Sequence, residues 1–195
     1  MSYELPVILA SASPRRQSLL KLILPDFQVI PADLDEDALT VSDPFVTAQN
    51  LALAKAMWVY SQNPNHLVLG GDTVVAVKEE LGYVQYGKPT SPEDAKRMLK
   101  ALSGTTHIVA TGVAIVWPNG DFSFVERSEV TFRHLTDEQI ESYIATGEPM
   151  DKAGAYGLQG LGTEFVEEVV GLRTNVIGYP VERVQEELVR LGHID

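Results

Sequence analysis

The sequence contains no cysteine, and this absence excludes a disulfide framework, a thiolate zinc site and a cysteine nucleophile. Its four histidines are scattered without the spacing of metal ligands: His66, His107, His134 and His193. The motifs GxGxxG, GxSxG and GxxxxGK[ST] are missing as well. No apolar run approaches the ~20 residues of a membrane helix, and the first residues lack the basic region of a signal peptide. These absences predict a soluble cytoplasmic protein with no membrane partner.

Positive charge is also scarce, because 15 lysines and arginines stand against 27 aspartates and glutamates, for a net charge of −12. A protein that binds nucleic acid through its phosphate backbone needs a basic surface, so we expect no nucleic-acid partner. Some basic residues nevertheless fall in motif-like segments, where they could bind a small polyanion: Arg15, Arg16, Lys55, Lys88 and Lys152.

The rest of the composition is that of a globular protein, with 45% apolar and 22% charged residues in a chain of 195. We expect one domain over residues 1–195, with two lobes that share one core. The apolar pattern and its Pro and Gly breaks predict strands at 5–10, 27–31, 67–69 (extended again at 74–77), 107–117, 122–132 and 165–170. They predict a hairpin or an excursion of the chain at 78–87, and helices at 15–24, 45–61, 91–102, 138–146 and 180–191. This order predicts an α/β fold, a mixed sheet with flanking helices.

Residues 11–16, Ser-Ala-Ser-Pro-Arg-Arg, follow the first predicted strand and open the first predicted helix. Ser13 is a good N-cap and Pro14 suits the first helical position. The hydroxyls, the helix start and the two guanidinium groups of Arg15 and Arg16 together favour a phosphate. The alternative is an ordinary capped helix whose arginines face solvent.

Acidic residues occur at two further candidate sites. Asp72 lies in Gly-Gly-Asp-Thr, residues 70–73, which we place at the end of a strand, where α/β sheets bind their ligands. It is a candidate metal ligand or base, unless the segment is only a turn. The acidic run 33–37, with Asp35 and Glu36, offers the oxygen ligands that Mg²⁺ and Mn²⁺ prefer. In so acidic a protein, a solvated loop is the more common explanation for that run.

A glycine-rich segment, residues 150–162, permits a close backbone approach to a ligand. Within it, the amide of Gln159 could read a base edge because it offers both a donor and an acceptor. The alternative is a long surface loop. Lys55, among small residues of a predicted helix, and Lys88, after Gly87, either point into a cleft or belong to a polar surface.

Taken together, these segments resemble the Maf family of nucleoside triphosphate pyrophosphatases. The matching pieces occur in family order along nearly the whole chain: ILASASPRR at 8–16, LAKA at 53–56, GDTVV at 71–75, GKP at 87–89, LSGTTH at 102–107, residues 148–160, and NVIGYP at 175–180. Two departures are that Gly71 stands where Ala is common, and that Asp35 stands where Glu is usual.

The resemblance implies an inosine-triphosphate-pyrophosphatase-like fold with the substrate in a cleft between two lobes. It implies hydrolysis of a nucleoside triphosphate to the monophosphate and pyrophosphate with Mg²⁺ or Mn²⁺, and a homodimer. The run 151–160, with its Tyr156 and Gln159, is similar to the subgroup that acts on dTTP and UTP. Two alternatives stay open. One is a pyrophosphatase for a modified purine nucleotide such as 7-methyl-GTP, and the other is a nucleotide-binding regulator of septum formation with incidental hydrolysis.

The mechanism that follows is attack of water on the α-phosphorus. We expect the following roles: Asp72 with Lys55 and Lys88 in catalysis, Ser13, Arg15, Arg16, Thr73, Lys152 and Gln159 in substrate binding, and Asp35, Glu36 and Asp72 at the metal. By family analogy Asp72 accepts the proton, and Arg15, Thr73 and Gln159 determine specificity.

Overall fold

The computed structural model describes residues 5–194, so the ends of the predicted domain, residues 1–4 and 195, lie outside the described residues. The strands are β1 (Val7–Leu9), β2 (Gln28–Val29), β3 (Leu67–Glu79), β4 (Gly82–Tyr86), β5 (Thr106–Trp117), β6 (Gly120–Phe132) and β7 (Val166–Val170). The α-helices are α1 (Pro14–Leu20), α2 (Pro44–Gln62), α3 (Pro92–Leu102), α4 (Asp137–Ala145), α5 (Arg173–Ile177) and α6 (Val181–Arg190). Short 3₁₀ turns occupy much of the glycine-rich segment.

The strands form one seven-stranded sheet in the order β2-β1-β3-β5-β6-β7, with β4 paired to β3. The pairs that β1 makes with β2 and β3 are parallel, and the remaining pairs are antiparallel. The predicted mixed sheet with flanking helices is therefore confirmed, as is the hairpin of β5 and β6. Within residues 5–194, we find no helix that is long and apolar enough to cross a membrane.

Three helices begin where the sequence predicts them, each at a proline that follows a capping residue. Ser13 accepts a hydrogen bond from the amide of Arg16, and Ser91 accepts one from that of Asp94. Asp43 caps α2 in the same way. Proline suits the first helical position because its missing N–H would lack a partner there in any case. The helix ends were predicted less well, since α1 stops at Leu20 rather than at 24, and α5 was not predicted.

Strand β3 has a gap on one edge. β5 pairs with the other edge continuously from Val68 to Ala76. On the gapped edge, β1 pairs only with residues 67–69 and β4 only with residues 75–79. Residues 70–74 therefore have no strand beside them on that edge. The prediction that a strand ends at 70–73 was wrong, because β5 keeps β3 extended through these residues while β1 stops.

Two lobes flank this gap. In the first lobe, α2 packs on one face of the sheet, and α1 and α6 pack on the opposite face. In the second lobe, α3 and α4 pack around Val75 and Tyr86, and around the first residues of β5 and the last residues of β6. Because β3 and β5 contribute to the cores of both lobes, the sheet fixes the position of one lobe against the other.

Candidate active site

A cleft of about 760 Å³ lies at the gap in β3, between the two lobes. Its walls come from the start of α1, the acidic run, α2, β3 and the beginning of the glycine-rich segment. It brings together nine of the residues that the sequence singled out: Ser13, Arg15, Arg16, Glu36, Lys55, Asp72, Thr73, Lys88 and Lys152. Two predicted residues, Asp35 and Gln159, are exposed and do not belong to the lining.

Asp72 lies inside the gap, on the face of the sheet that α2 covers. Its Oδ1 is 2.7 Å from Nζ of Lys55, and the same ammonium lies 2.8 Å from Oε1 of Glu36. Burial raises the pKa of Asp72 above its ordinary value, although the ammonium of Lys55 acts in the opposite direction. The cleft thus holds a partly buried carboxylate that is more basic than a fully exposed aspartate.

The position of Lys55 depends on two glycines beneath α2. A Cβ on Gly70 would lie 2.3 Å from the carbonyl oxygen of Ala52, and one on Gly112 would lie 2.1 Å from that of Ala48. Only glycine lets the helix backbone approach the sheet this closely. The close approach brings the ammonium of Lys55 to the carboxylate of Asp72.

Arg16 is buried and engaged by the protein itself. Its Nη1 donates to Ser11 Oγ at 2.7 Å, and its Nε donates to the carbonyl oxygen of Gly178 at 3.0 Å. Its Nη2 donates to Thr73 Oγ1 at 3.3 Å, and the guanidinium lies over the ring of Tyr179. The alternative in which Arg16 faces solvent is wrong, because Arg16 is buried and its contacts hold the wall of the cleft together.

Arg15 reaches across the cleft instead. Its Nη1 donates to Asp151 Oδ2 at 2.7 Å, and Lys152 Nζ contacts Oδ1 of the same carboxylate at 2.7 Å. Partial burial opposes ionisation of Asp151, but hydrogen bonds from Lys152 and Arg15 outweigh it and lower the pKa to about 2. Asp151 was not among the predicted site residues. The signal that could have found it is an acid beside Lys152 inside the glycine-rich segment.

Lys88 is exposed at the cleft and makes no hydrogen bond or ion pair with any described residue. Thr73 shares its hydroxyl with Thr111 at 3.0 Å as well as with Arg16. Ser13 uses its hydroxyl as the cap of α1. Arg16 and Lys88 are the cleft-lining cations that form no ion pair with a described carboxylate, and of these two only Lys88 is exposed.

The acidic residues of the cleft can be tested as metal ligands. Among residues 5–194, no group of three His, Asp or Glu side chains is arranged to hold a metal ion. The carboxylates of Glu36 and Asp72 nevertheless lie close together, because both contact the ammonium of Lys55. Mg²⁺ in phosphoryl-transfer sites commonly takes one or two carboxylates together with substrate phosphate oxygens. The donor set therefore fits a hard divalent cation that arrives with a phosphate ligand.

A buried His107 supports the wall that carries Tyr156. The Nε2 of His107 and the hydroxyl of Tyr156 are 2.7 Å apart, and Nδ1 has no hydrogen-bond partner among the described residues. Burial lowers the pKa of His107 to about 4. The imidazole is therefore neutral at pH 7, and it serves packing and orientation.

This burial predicts a pH-dependent stability. In the unfolded chain His107 binds a proton below pH ~6.5, whereas in the folded protein it does so only below about 4. The free energy of unfolding should therefore fall by up to about 3 kcal/mol as the pH drops through this window. Urea unfolding of the wild type and His107→Gln at several pH values tests this. The stability difference between them should shrink toward pH 4, and parallel curves would contradict the prediction.

Comparison with known proteins finds matches over nearly the whole chain. The model of the family described as Maf-like protein matches residues 6–191. A protein of Geobacillus sp. (strain WCH70) named dTTP/UTP pyrophosphatase is 47% identical over 95% of this chain and 98% of its own length. One of Bacillus cereus (strain B4264) with the same name is 44% identical over 93% of each.

The fold also resembles two solved structures. A Ham1 protein of Staphylococcus aureus matches 95% of this chain and 99% of its own at 17% identity, with a TM-score of 0.52. A HAM1 protein of Coxiella burnetii gives the same coverage at 15% identity, with a TM-score of 0.56. These likenesses concern the fold alone, and they confirm the predicted fold class. On the match of the family model over residues 6–191 and the identity of its relatives, the chain belongs to the Maf-like protein family.

Proposed function

We propose that this protein hydrolyses dTTP and UTP to the nucleoside monophosphate and pyrophosphate. The observation that carries the proposal is the partly buried Asp72, paired with Lys55 beside Glu36, in a cleft that also presents Arg15 and Lys88. The relatives named dTTP/UTP pyrophosphatase, which align over nearly the whole chain, support this choice of substrates.

In the proposed reaction, a water oxygen attacks the α-phosphorus. The bond from that phosphorus to the oxygen bridging to the β-phosphate breaks, and pyrophosphate leaves. Asp72 orients the water and accepts its proton, a role favoured by a carboxylate pKa that burial raises. Lys55 holds Asp72 in place through the 2.7 Å contact and adds positive charge near the reacting phosphate.

Binding of the triphosphate requires cations that can turn toward phosphate oxygens. Lys88 is exposed at the cleft and without an anionic partner among the described residues, so it meets this need directly. Arg15 can exchange Asp151 for phosphate, because its guanidinium fork suits both anions. Lys152 is buried behind Asp151 and contributes charge from a distance. Ser13 completes the set as the predicted hydroxyl ligand.

Mg²⁺ or Mn²⁺ is the cofactor we propose, with Glu36 and Asp72 as the protein ligands. When bound, such an ion neutralises triphosphate charge and lowers the pKa of a water molecule. Asp35, also predicted as a ligand, is exposed outside the cleft lining, so Glu36 is the stronger candidate in the acidic run. We further propose a homodimer, as the family resemblance implies, and a cytoplasmic location, as the sequence analysis predicts.

A panel of canonical and modified nucleoside triphosphates with Mg²⁺ or Mn²⁺ tests the proposal, with pyrophosphate and orthophosphate scored separately. We expect pyrophosphate from dTTP and UTP and little from purine nucleotides. Pyrophosphate from 7-methyl-GTP instead would keep the reaction and overturn the substrates. Nucleotide binding without turnover would overturn the proposed reaction and favour the alternative of a nucleotide-binding regulator.

A further inference from the structure

The carboxylate of Glu148 connects the end of α4 to the far end of the glycine-rich segment. It accepts hydrogen bonds from the Tyr143 hydroxyl at 3.0 Å, from the amide of Leu161 at 3.2 Å and from that of Gly162 at 3.3 Å. A Cβ on Gly160 would lie 2.7 Å from the same carboxylate, and Gly160 has a φ of +88°. The segment can therefore close over Glu148 only with glycine at that position.

The backbone of Glu148 connects to the near end of the same segment. Its carbonyl oxygen accepts a hydrogen bond from Lys152 Nζ at 2.5 Å. The methylene groups of Lys152 cover Gly157 so closely that a Cβ there would lie 3.0 Å from Cδ and Cε. Gly157 lines the cleft, whereas Glu148 does not. One residue outside the cleft thus fixes the chain on both sides of Gln159.

We propose that Glu148 is a positioning residue that sets the conformation of residues 157–162 and thereby the base preference of the cleft. This rests on the proposed hydrolysis of dTTP and UTP. Glu148 touches no reacting atom in this arrangement, so its effect reaches the substrate through Gly157, which lines the cleft, and the chain that follows it. A loop held in one conformation selects between bases, because an incorrect base then leaves polar groups of the loop without partners.

The substitution Glu148→Gln tests this with little change in shape. A glutamine keeps one acceptor oxygen and replaces the other with an NH₂ group. Either orientation then places an N–H donor against a backbone N–H, that of Leu161 or of Gly162. Tyr143→Phe removes one donor and leaves both backbone contacts, so a smaller effect is expected. Glu138→Gln is the matched control, because Glu138 is an exposed residue of α4 with no hydrogen bond to a described side chain.

Two measurements are made on each variant. Hydrogen exchange of the Leu161 and Gly162 amides, without substrate, should speed up roughly tenfold in Glu148→Gln, the loss expected for hydrogen bonds to a charged group. KM for dTTP should rise by a similar factor while kcat changes little, and the preference for dTTP over GTP should narrow. Glu138→Gln should match the wild type in both.

The outcomes separate this proposal from the proposed function. Faster exchange with an unchanged base preference would mean that Glu148 serves stability alone, and unchanged exchange would mean that it does not hold the segment. Either result overturns the proposal. A wild-type protein that hydrolyses neither dTTP nor UTP would instead overturn the proposed function, and the exchange measurement would still decide whether Glu148 fixes residues 157–162.

Discussion

Replacement of Asp72 by Asn should lower dTTP turnover by roughly 10²- to 10⁴-fold, the range typical for loss of a general base. The amide keeps the shape of the side chain but accepts a proton poorly and carries no charge. It leaves Lys55 with Glu36 as its remaining anionic partner, at 2.8 Å. Because burial raises the pKa of Asp72, the charged side chain is costly to fold, so the variant should be at least as stable as the wild type.

Steady-state kinetics and urea unfolding of Asp72→Asn check both parts of this prediction. Asp121→Asn serves as a control, because Asp121 is an exposed residue at the start of β6, away from the cleft lining. Turnover of Asp72→Asn within a fewfold of the wild type would remove Asp72 from the mechanism. A large loss of stability would mean that its pairing with Lys55 matters more to folding than its burial costs.

Gly70→Ala should destabilise the fold by roughly 3–4 kcal/mol and lower Tm by roughly 10 °C, at the upper end of overpacking effects. The added Cβ would lie 2.3 Å from the carbonyl oxygen of Ala52 and 3.0 Å from the Cβ of Ala56, so α2 must move away from the sheet. Lys55 lies between these two residues on α2. Activity should therefore fall together with stability, since the contact between Lys55 and Asp72 is lost.

Gly87→Ala is the matched control for stability, because a Cβ there has nothing within 4 Å and the backbone is not left-handed. It should change the free energy of unfolding by less than about 0.5 kcal/mol. Thermal unfolding of both variants gives the comparison. If Gly70→Ala retains the stability of the wild type, α2 can shift freely and the glycines do not fix Lys55.

Local signals in the sequence were sufficient for much of the fold. The Ser-Pro and Asp-Pro starts of α1, α2 and α3 depend on interactions between residues close in sequence, and so does the turn between β5 and β6. The gap in β3 was not predictable in this way. It depends on where β1 and β4 stop pairing with the same edge, which is a long-range outcome of sheet assembly.

In the candidate site, too, some residues could be recognised from local motifs and others could not. Asp72 and Lys55 stand out as residue types within motifs, and the structure brings them together. The roles of Arg16 and Asp151 depend on partners far along the chain. Arg16 is held by the carbonyl oxygen of Gly178, 162 residues away, and Asp151 by Arg15, 136 residues away. Resemblance to a family could name such residues, but burial and pairing had to come from the structure.

The continuous pairing of β3 with β5 also limits how the protein can move. Hinge closure needs a few connecting residues that absorb large changes in φ and ψ. Here both strands run through both lobes and are paired continuously from Val68↔Val116 to Ala76↔Ile108, so this part of the described chain offers no unpaired connection between the lobes that could act as a hinge. The adjustments that binding requires are then local ones of side chains, such as the release of Arg15 from Asp151 when Arg15 binds phosphate. Raised ionic strength should weaken both this ion pair and the binding of phosphate to Arg15.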